Sequence, residues 1–438
     1  MEDNKRYIVA IEISSSRITG IAATLDDSNE AEEICHYEEA IDGPVIYGEI
    51  KNVDAVYTKV NSIIQKIESH KSIAPRKIKS VYVGINARSM HSTTVTIEKE
   101  INENIPIDKR LMEMIMRESC AGINTETDKI LVAKQGLCEI DGKETADPEG
   151  SLGSHISVTT TIITCKQKIC NSIKMVFDRL NIGIKDYIPT QLALAKSKFT
   201  LTSDERRLGC VLVDFGSDTT AVSIYKKDRL IYLNTLPMGS HNITRDLTTL
   251  NMLPEKAEKI KCMYGIMHIS DVVNMEIASG VSSTEVVNYI SARAGEIIAN
   301  IINQLNIAGI TSDELPGGII TVGRGTKMKG FNEMLERISK MNVRKGGWNN
   351  KEEFTDRIGS LAILDTASNT ATPEESCMHL PEMPATGEYE EETEPKQKKE
   401  SKPKPSKKSW WKKIGESIND GIGKTFGEDE DEEEENKN

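Results

Sequence analysis

Two short segments set an acidic residue at the end of an apolar run and follow it with small turn residues. The first reads Tyr7-Ile-Val-Ala-Ile-Glu-Ile13, then Ser14-Ser15-Ser16-Arg17, then Ile18-Thr-Gly-Ile-Ala-Ala-Thr24. The second reads Gly209-Cys-Val-Leu-Val213, then Asp214-Phe-Gly-Ser-Asp-Thr-Thr220, then Ala221-Val-Ser-Ile-Tyr225. Both patterns predict strand–turn–strand hairpins. Small turn residues let backbone N–H groups converge on an anion, and an acid at the turn entrance, Glu12 or Asp214, can hold the metal that accompanies a polyphosphate. Either hairpin alone has the composition of an ordinary surface turn. As a pair they would grip one nucleotide from opposite sides of a cleft. Asp214 is the strongest single candidate, because an acid ending a five-residue apolar strand is costly unless it has a partner. A third segment, Leu315-Pro-Gly-Gly-Ile-Ile-Thr-Val322, predicts a buried strand that leads through Gly323-Arg324-Gly325 into a helical run from Thr326 to Met341. Glycines at that turn admit a flat base or ribose close to the backbone, or serve steric needs alone.

The elements that must position these turns alternate between strand and helix up to about residue 364, which implies an α/β fold. Residues 54–69 carry apolar side chains at helical spacing (Val56, Val60, Ile63, Ile64, Ile67), as do residues 168–180 (Ile169, Ile173, Val176, Phe177, Leu180). At 438 residues the chain can build two or three domains. The eight cysteines form no CxxC pair; Cys165 and Cys170 are nearest neighbours, with no histidine in register for zinc. No secretory signal precedes them, so reduced thiols in a cytoplasm are expected. No apolar run is long enough to span a membrane, and a net charge of −13 argues against nucleic-acid binding.

After Thr366 the character changes. Residues 366–408 are rich in proline, serine and charge blocks and read as a disordered linker. In residues 409–426, Trp410, Trp411, Ile414, Ile418, Ile422 and Phe426 fall within one arc of roughly 160° on a helix. Lys412 and Lys413 lie on the other side, and nine lysines stand between residues 396 and 413 against a single acid, Glu400. Paired tryptophans suit a headgroup boundary, and each lysine attracts anionic lipid by about 1 kcal/mol. Gly415, Gly421 and Gly423 keep the segment unfolded until it lands. Docking on its own body or on a partner protein is the alternative to a membrane. Glu428–Glu435 is a run of eight acids, either a solubilising end or a repulsive counterweight to the anchor.

The three motifs, in this order, resemble the phosphate-1, phosphate-2 and adenosine motifs of the actin/Hsp70/sugar-kinase superfamily, and within it the FtsA family of bacterial cell-division proteins. The resemblance runs from about Tyr7 to about Leu364. It includes Val81-Tyr-Val-Gly-Ile-Asn-Ala87 and Asp147-Pro-Glu-Gly-Ser-Leu-Gly-Ser-His155 at the entry and exit of the family's extra subdomain, Met238-Gly-Ser-His-Asn-Ile-Thr-Arg-Asp246, Glu255-Lys-Ala-Glu-Lys-Ile-Lys261 with Tyr264-Gly265, and the tryptophan-rich tail. It implies an actin-like two-domain α/β fold with a nucleotide cleft. Residues 5–83 and 161–205 would form the first domain, 84–160 the FtsA-type extra subdomain, and 206–365 the second domain, with a subdomain inserted at about 246–304. The linker (366–408), the amphipathic membrane-targeting helix (409–426) and the acidic tail (427–438) would follow.

The resemblance also implies roles. Ser14, Ser15, Ser16 and Arg17 would cradle the β- and γ-phosphates of ATP, with Gly216, Ser217, Asp218, Thr219 and Thr220 closing from the second domain. Glu12 and Asp214 would face Mg2+ through water. Gly239, Ser240, Glu258 and Lys261 would contact ribose and base, Arg293 and Glu296 would lie near the adenine, and Gly323, Arg324 and Gly325 would form the adenosine floor. Glu258 with Lys261 and Arg293 with Glu296 are equally i,i+3 pairs on solvated helix faces. Two departures from the family pattern bear on mechanism. Its Asp-Ile-Gly-Thr/Ser-Ser-Lys reads Glu12-Ile13-Ser14-Ser15-Ser16-Arg17 here, where Ser14 costs about 1 kcal/mol if its φ is positive. Its Glu-Pro pair aligns with Thr190-Gln191, which removes the acid expected to orient a hydrolytic water.

The implied function is an ATP-binding adaptor, at most a weak ATPase. It would assemble into filaments on an anionic membrane at the cytoplasmic face of the division site and tether the tubulin-like protein FtsZ through residues 246–290. The rivals are a nucleotide-free membrane scaffold, a small-molecule kinase, which needs a general base and a substrate pocket, and a pilus-assembly relative, which the C-terminal anchor disfavours. If the acidic run opposes the anchor, deleting residues 428–438 will tighten binding to anionic liposomes at low salt; unchanged binding discards that role.

Overall fold

The computed structural model describes residues 5–381 apart from 198, 267–271, 279, 348–351 and 373–375. The expected tail, comprising the linker beyond 381, the segment 409–426 and the acidic run, lies outside the described residues.

The first lobe is built on a five-stranded sheet in the order Gly183–Pro189, Ser80–Ile85, Arg6–Ile13, Arg17–Leu25, Ala31–Ala40. The three N-terminal strands form an antiparallel meander, while Ser80–Ile85 and Gly183–Pro189 run parallel to Arg6–Ile13. Parallel neighbours need crossovers, and helices Val53–Glu68 and Gln167–Arg179 precede the two parallel strands. The first begins where the Asn52 side chain accepts from Ala55 N–H, and it buries Val56, Val60, Ile63, Ile64 and Ile67, the residues its spacing predicts. It lies hard against the sheet at Gly20, where a Cβ would come within 2.3 Å of Ile63 Cγ2.

The second lobe repeats the plan. Its strands Arg229–Leu236, Thr220–Lys226, Cys210–Phe215, Ile319–Val322 and Val343–Lys345 take the same order and the same sense as those of the first lobe. The alternation within Cys210–Phe215 divides its burial between two cores. Cys210 and Leu212 join the first lobe's core. Val211, Val213 and Phe215 pack beneath the second lobe's helices, chiefly Ser240–Thr248, Ser283–Ile307 and Phe331–Ser339. The expected helical run from Thr326 to Met341 is divided into a 3-10 turn, Arg324–Lys327, and the helix Phe331–Ser339. Gly330 makes the break: its φ is +78°, and a Cβ there would meet Ile266 O at 2.0 Å.

The strands His91–Glu100, Asp128–Ile140, Lys143–Thr145 and His155–Lys166, with helix Lys109–Cys120, form an extra subdomain around its own small core of Ile107, Ile115, Cys138, Ile140, Ile156 and Val158. Its last strand continues to Lys166, past the boundary expected at residue 160. The chain enters and leaves this subdomain through the first lobe, yet its sheet is continuous with that of the second lobe, forming nine strands in all. His91 pairs with Asn234, and Leu233 N–H donates to Ser92 Oγ at 2.8 Å. Lys227 and Arg229 hold Glu144 at 2.7 and 2.9 Å.

The ordered chain does not stop where the linker was expected to begin. Helix Glu352–Thr370 crosses back to the first lobe and buries Ala362, Ile363, Leu364, Ala367 and, just past its end, Ala371. Met378–His379 then pairs with Lys77–Ile78, and Cys377 N–H donates to Tyr7 O at 2.7 Å. Beyond Thr366 small residues, Ala367, Ser368 and Ala371, do this packing, so the sequence showed no apolar stripe there. A chain ending at Asp365 is therefore expected to be less stable than one ending at Pro381 by about 4 kcal/mol, from lost burial and pairing, measured as an earlier transition in urea.

Candidate functional site

The two hairpin turns close in the same way. Ser14 N–H donates to Arg17 O and Gly216 N–H to Thr219 O, each at 2.9 Å. Ser14 Oγ also donates to Arg17 O at 2.9 Å. Among the described residues with positive φ, none belongs to the Ser14–Arg17 turn, so serine in place of glycine carries no backbone strain there. The turns face each other across a cavity of about 80 Å³ lined by Glu12, Ser14, Ser15, Ser16, Arg17, Asn86, Asp214, Gly216, Ser217, Asp218, Thr219, Gly323 and Arg324. That space fits a phosphate-sized group and falls well short of the roughly 300–1,000 Å³ typical of small-ligand pockets.

The other predicted residues frame this cavity or lie away from it. Thr220 is buried, its hydroxyl donating to Met238 O at 2.6 Å. Gly239 and Ser240 support the second turn from behind: Ser240 N–H donates to Gly216 O at 3.0 Å, and a Cβ on Gly239 would strike Ser217 O at 2.1 Å. Gly325 is packed against Phe215, whose ring a Cβ would meet at 2.6 Å. Glu258 and Lys261 pair at 2.7 Å, and Lys261 also donates to Ser240 O and Thr244 Oγ1, so this pair pins helix Pro254–Tyr264 to Ser240–Thr248. Arg293 binds Asp246 and Glu296, both at 2.5 Å, and these three line a separate cavity of about 510 Å³ with Thr249, Asn288, Tyr289 and Ala292. Thr190 and Gln191 are buried; the Gln191 amide donates to Leu212 O at 3.1 Å and Ser223 Oγ at 3.0 Å, facing the second lobe's sheet instead of the cavity.

The site's electrostatics centre on two acids at equivalent strand ends. Asp214 is buried, and burial together with the neighbouring Glu12 charge pushes its carboxyl up to about 7, against the pull of Arg17 and Asn86. Glu12 keeps some accessible surface on the cavity side, but burial raises it too, with Arg17 opposing. Gly359 leaves the room this carboxylate needs, since a Cβ there would come within 2.8 Å of Glu12 Oε2. Gly323, at φ +89°, does the same for Asp214 Oδ1, at 2.5 Å from the added Cβ. Burial works against ionisation of Asp218 as well, yet hydrogen bonds from His241, Tyr47 N–H and Ser15 hold it below the usual carboxylate range. Asp218 in turn raises His241.

Sequence reasoning missed several residues that shape this cleft. Asn86 Nδ2 donates to Asp214 Oδ2 at 2.9 Å, while its Oδ1 is buried without a partner. A polar residue ending the apolar run Val81–Ile85 was the available signal, the same one that marks Asp214. Glu38 and Asp356 had none. Arg324 binds Glu38 at 2.9 Å and Asp356 at 3.2 Å, and Arg17 binds Glu38 at 3.2 Å and Asp356 O at 2.6 Å. Lys327 adds a 2.6 Å contact to Asp356. This cluster, with Tyr47 N–H on Asp218 at 3.2 Å and Asn86 on Asp214, holds the lobes together. Two carboxylates and the free Asn86 oxygen fit a hard cation that keeps most of its ligands as water and phosphate, as Mg2+ does.

A family model described as "Cell division protein FtsA" matches residues 211–362. Similar curated proteins include the cell division proteins FtsA of Porphyromonas gingivalis (28% identical over 346 residues, 76% of this chain and 71% of the relative) and Neisseria meningitidis (26% over 388 residues, 82% and 88%). That of Bacillus subtilis is 25% identical over 362 residues, 78% of this chain and 79% of the relative. Among solved structures, the fold is similar to a chain of the PilM-PilN type IV pilus biogenesis complex, with a TM-score of 0.57 and 12% identity over 83% of this chain and 97% of that one. It is also similar to diol dehydratase-reactivating factor in nucleotide free form, with a TM-score of 0.50 and 10% identity over 83% of this chain and 100% of that one. At such identities the structural likeness speaks to the fold alone.

The raised Asp214 value gives a pH signature. Its folded value, about 7, lies above the ordinary 3.8, so its contribution to stability is full below about pH 4 and is lost as pH rises through 7. Asp214→Asn cannot ionise. Its stability relative to the natural chain is expected to climb between pH 5 and 7 by a few kcal/mol and to level off above, in thermal denaturation without nucleotide or metal. A constant difference across that window contradicts the shifted carboxyl.

Proposed function

We propose that the chain is a member of the FtsA family of actin-like cell-division proteins and, on that premise, an ATP-binding adaptor tethering an FtsZ-like tubulin homologue to the inner face of the cytoplasmic membrane at the division site. The observation that carries the nucleotide part is the pair of equivalent turns facing one cavity, each preceded by a deeply placed carboxylate. Ser14, Ser15 and Ser16 from one side and Gly216, Ser217 and Thr219 from the other offer N–H and hydroxyl donors to phosphate oxygens. Glu12, Asp214 and Asn86 Oδ1 would hold Mg2+ through its waters. The cation would supply charge neutralisation for the phosphates and draw Asp214 to its ionised form.

Nucleotide enters only when the lobes part, because the closed cavity holds little more than a phosphate. Arg17 and Arg324 then exchange Glu38 and Asp356 for phosphate oxygens, so binding energy is available to reset the angle between lobes. Hydrolysis is slow in this reading. Thr190-Gln191, which stands where the family has Glu-Pro, offers no acid and does not line the cavity, and the Gln191 amide donates to Leu212 O and Ser223 Oγ.

The partner and membrane parts rest on other observations. Leu253, Met263, Val273 and Met275 are more than half exposed in the region assigned to the tubulin-like partner. The helix proposed at 409–426 would anchor weakly, and self-association into filaments would multiply weak anchors into lasting attachment. A nucleotide-free scaffold is the second reading, favoured by the neutralisation of Arg17 and Arg324 within the protein itself. Calorimetry of the full chain with Mg-ATP, beside a phosphate-release assay, separates the two. Heat of binding that Asp214→Ala abolishes, with turnover near background, is the expected result; no heat in the natural chain leaves the scaffold.

A further inference from the structure

We propose that Cys165 and Cys170 are a redox modification site, closing a reversible intramolecular disulfide that staples the exit of the extra subdomain to the first lobe. Their sulfurs lie 3.9 Å apart, both are thiols here, and both are buried. Cys165 stands at the end of strand His155–Lys166, opposite Lys129, and Cys170 in the first turn of helix Gln167–Arg179. Only the elbow 166–169 separates them. The two elements are ordered independently of the thiols: the strand by pairing with Asp128–Ile140 and His91–Glu100, the helix by packing Ile169, Ile173, Val176 and Phe177 into the first lobe's core. The sulfurs must close from 3.9 Å to the bonding distance of about 2.0 Å, and the short elbow between a strand end and a helix start already holds the two thiols in contact.

The pair is chemically unequal. The hydrogen bond shared by the two sulfurs holds Cys170 below the ordinary thiol value against burial, with the Lys129 cation adding to the effect. The same bond and burial push Cys165 up. Cys170 is thus the attacking thiolate and Cys165 the resolving thiol. The oxidant is a peroxide, small enough to reach a buried sulfur. The Cys170 thiolate attacks a peroxide oxygen; an S–O bond forms, the O–O bond breaks, and the leaving hydroxide takes up a proton as water. Cys165, surrendering its proton, then attacks the Cys170 sulfenic acid; the S–S bond forms, the S–O bond breaks, and a second water departs. Two thiols lose two electrons to one peroxide, and a dithiol reductant reverses the change.

Lysines at 166 and 168 make the test direct, because trypsin cuts between the two cysteines. The full-length protein is treated with hydrogen peroxide, alkylated, and digested without reductant. The expected product is peptide Glu144–Lys166 linked to Ile169–Lys174, lost after dithiothreitol and absent from Cys165→Ser and Cys170→Ser. Recovery of both cysteines alkylated, or as separate sulfinic acids, while exposed Cys262 is oxidised overturns the proposal. Amide exchange in residues 128–140 and 155–166 is expected to slow at least about threefold in the oxidised protein. Linked peptides with unchanged exchange overturn the staple.

Discussion

Two deeply placed carboxylates lining one cleft are the constraint around which this molecule is arranged. Glu12 and Asp214 end equivalent strands of two lobes with the same topology; burial raises both, with the Glu12 charge adding to the effect on Asp214 and the Glu38 charge to that on Glu12. Neither can stay charged there without help. The help is local and specific: Arg17 acts on both, Asn86 donates to Asp214, and Gly323 and Gly359 clear the volume each carboxylate occupies. A cleft built this way has its own demand for positive charge.

The closed state meets part of that demand from within. Arg17 and Arg324 come from opposite lobes and share Glu38, while Asp356, on the helix that returns from the second lobe to the first, takes Arg324 and Lys327. These pairs are partly exposed, so each contributes modestly and is weakened by salt. Their importance is in position. Protein acids occupy the guanidinium groups on both sides of the cleft, so the lobes are held together from within.

Much of this could be read from the chain because it follows from local rules. An acid closing an apolar strand exposed Asp214, helical spacing gave the two crossover helices of the first sheet, and the order of motifs gave the fold. What escaped depended on pairing across long sequence distances or on small side chains. Glu38 sits on a strand whose acids look merely solvated, and only the fold brings it to Arg324. The helix beyond Thr366 packs through Ala367, Ser368 and Ala371, which carry no apolar rhythm. Glu258, Lys261, Arg293 and Glu296 have partners among the second lobe's own helices, outside the cavity between the turns.

The extra subdomain is tethered by its chain to one lobe and by hydrogen bonds to the other. Its ends join the first lobe, but His91, Ser92 and Glu144 are held by Asn234, Leu233, Lys227 and Arg229 of the second. A body fastened to both lobes would behave as a strut in any rotation between them. When the lobes rotate, it must swing with the second lobe by bending its two chain connections, or keep its place by letting the seam at His91 and Asn234 shear. In either case an angular change deep in the cleft becomes a displacement on the outer surface, where neighbouring molecules can meet it.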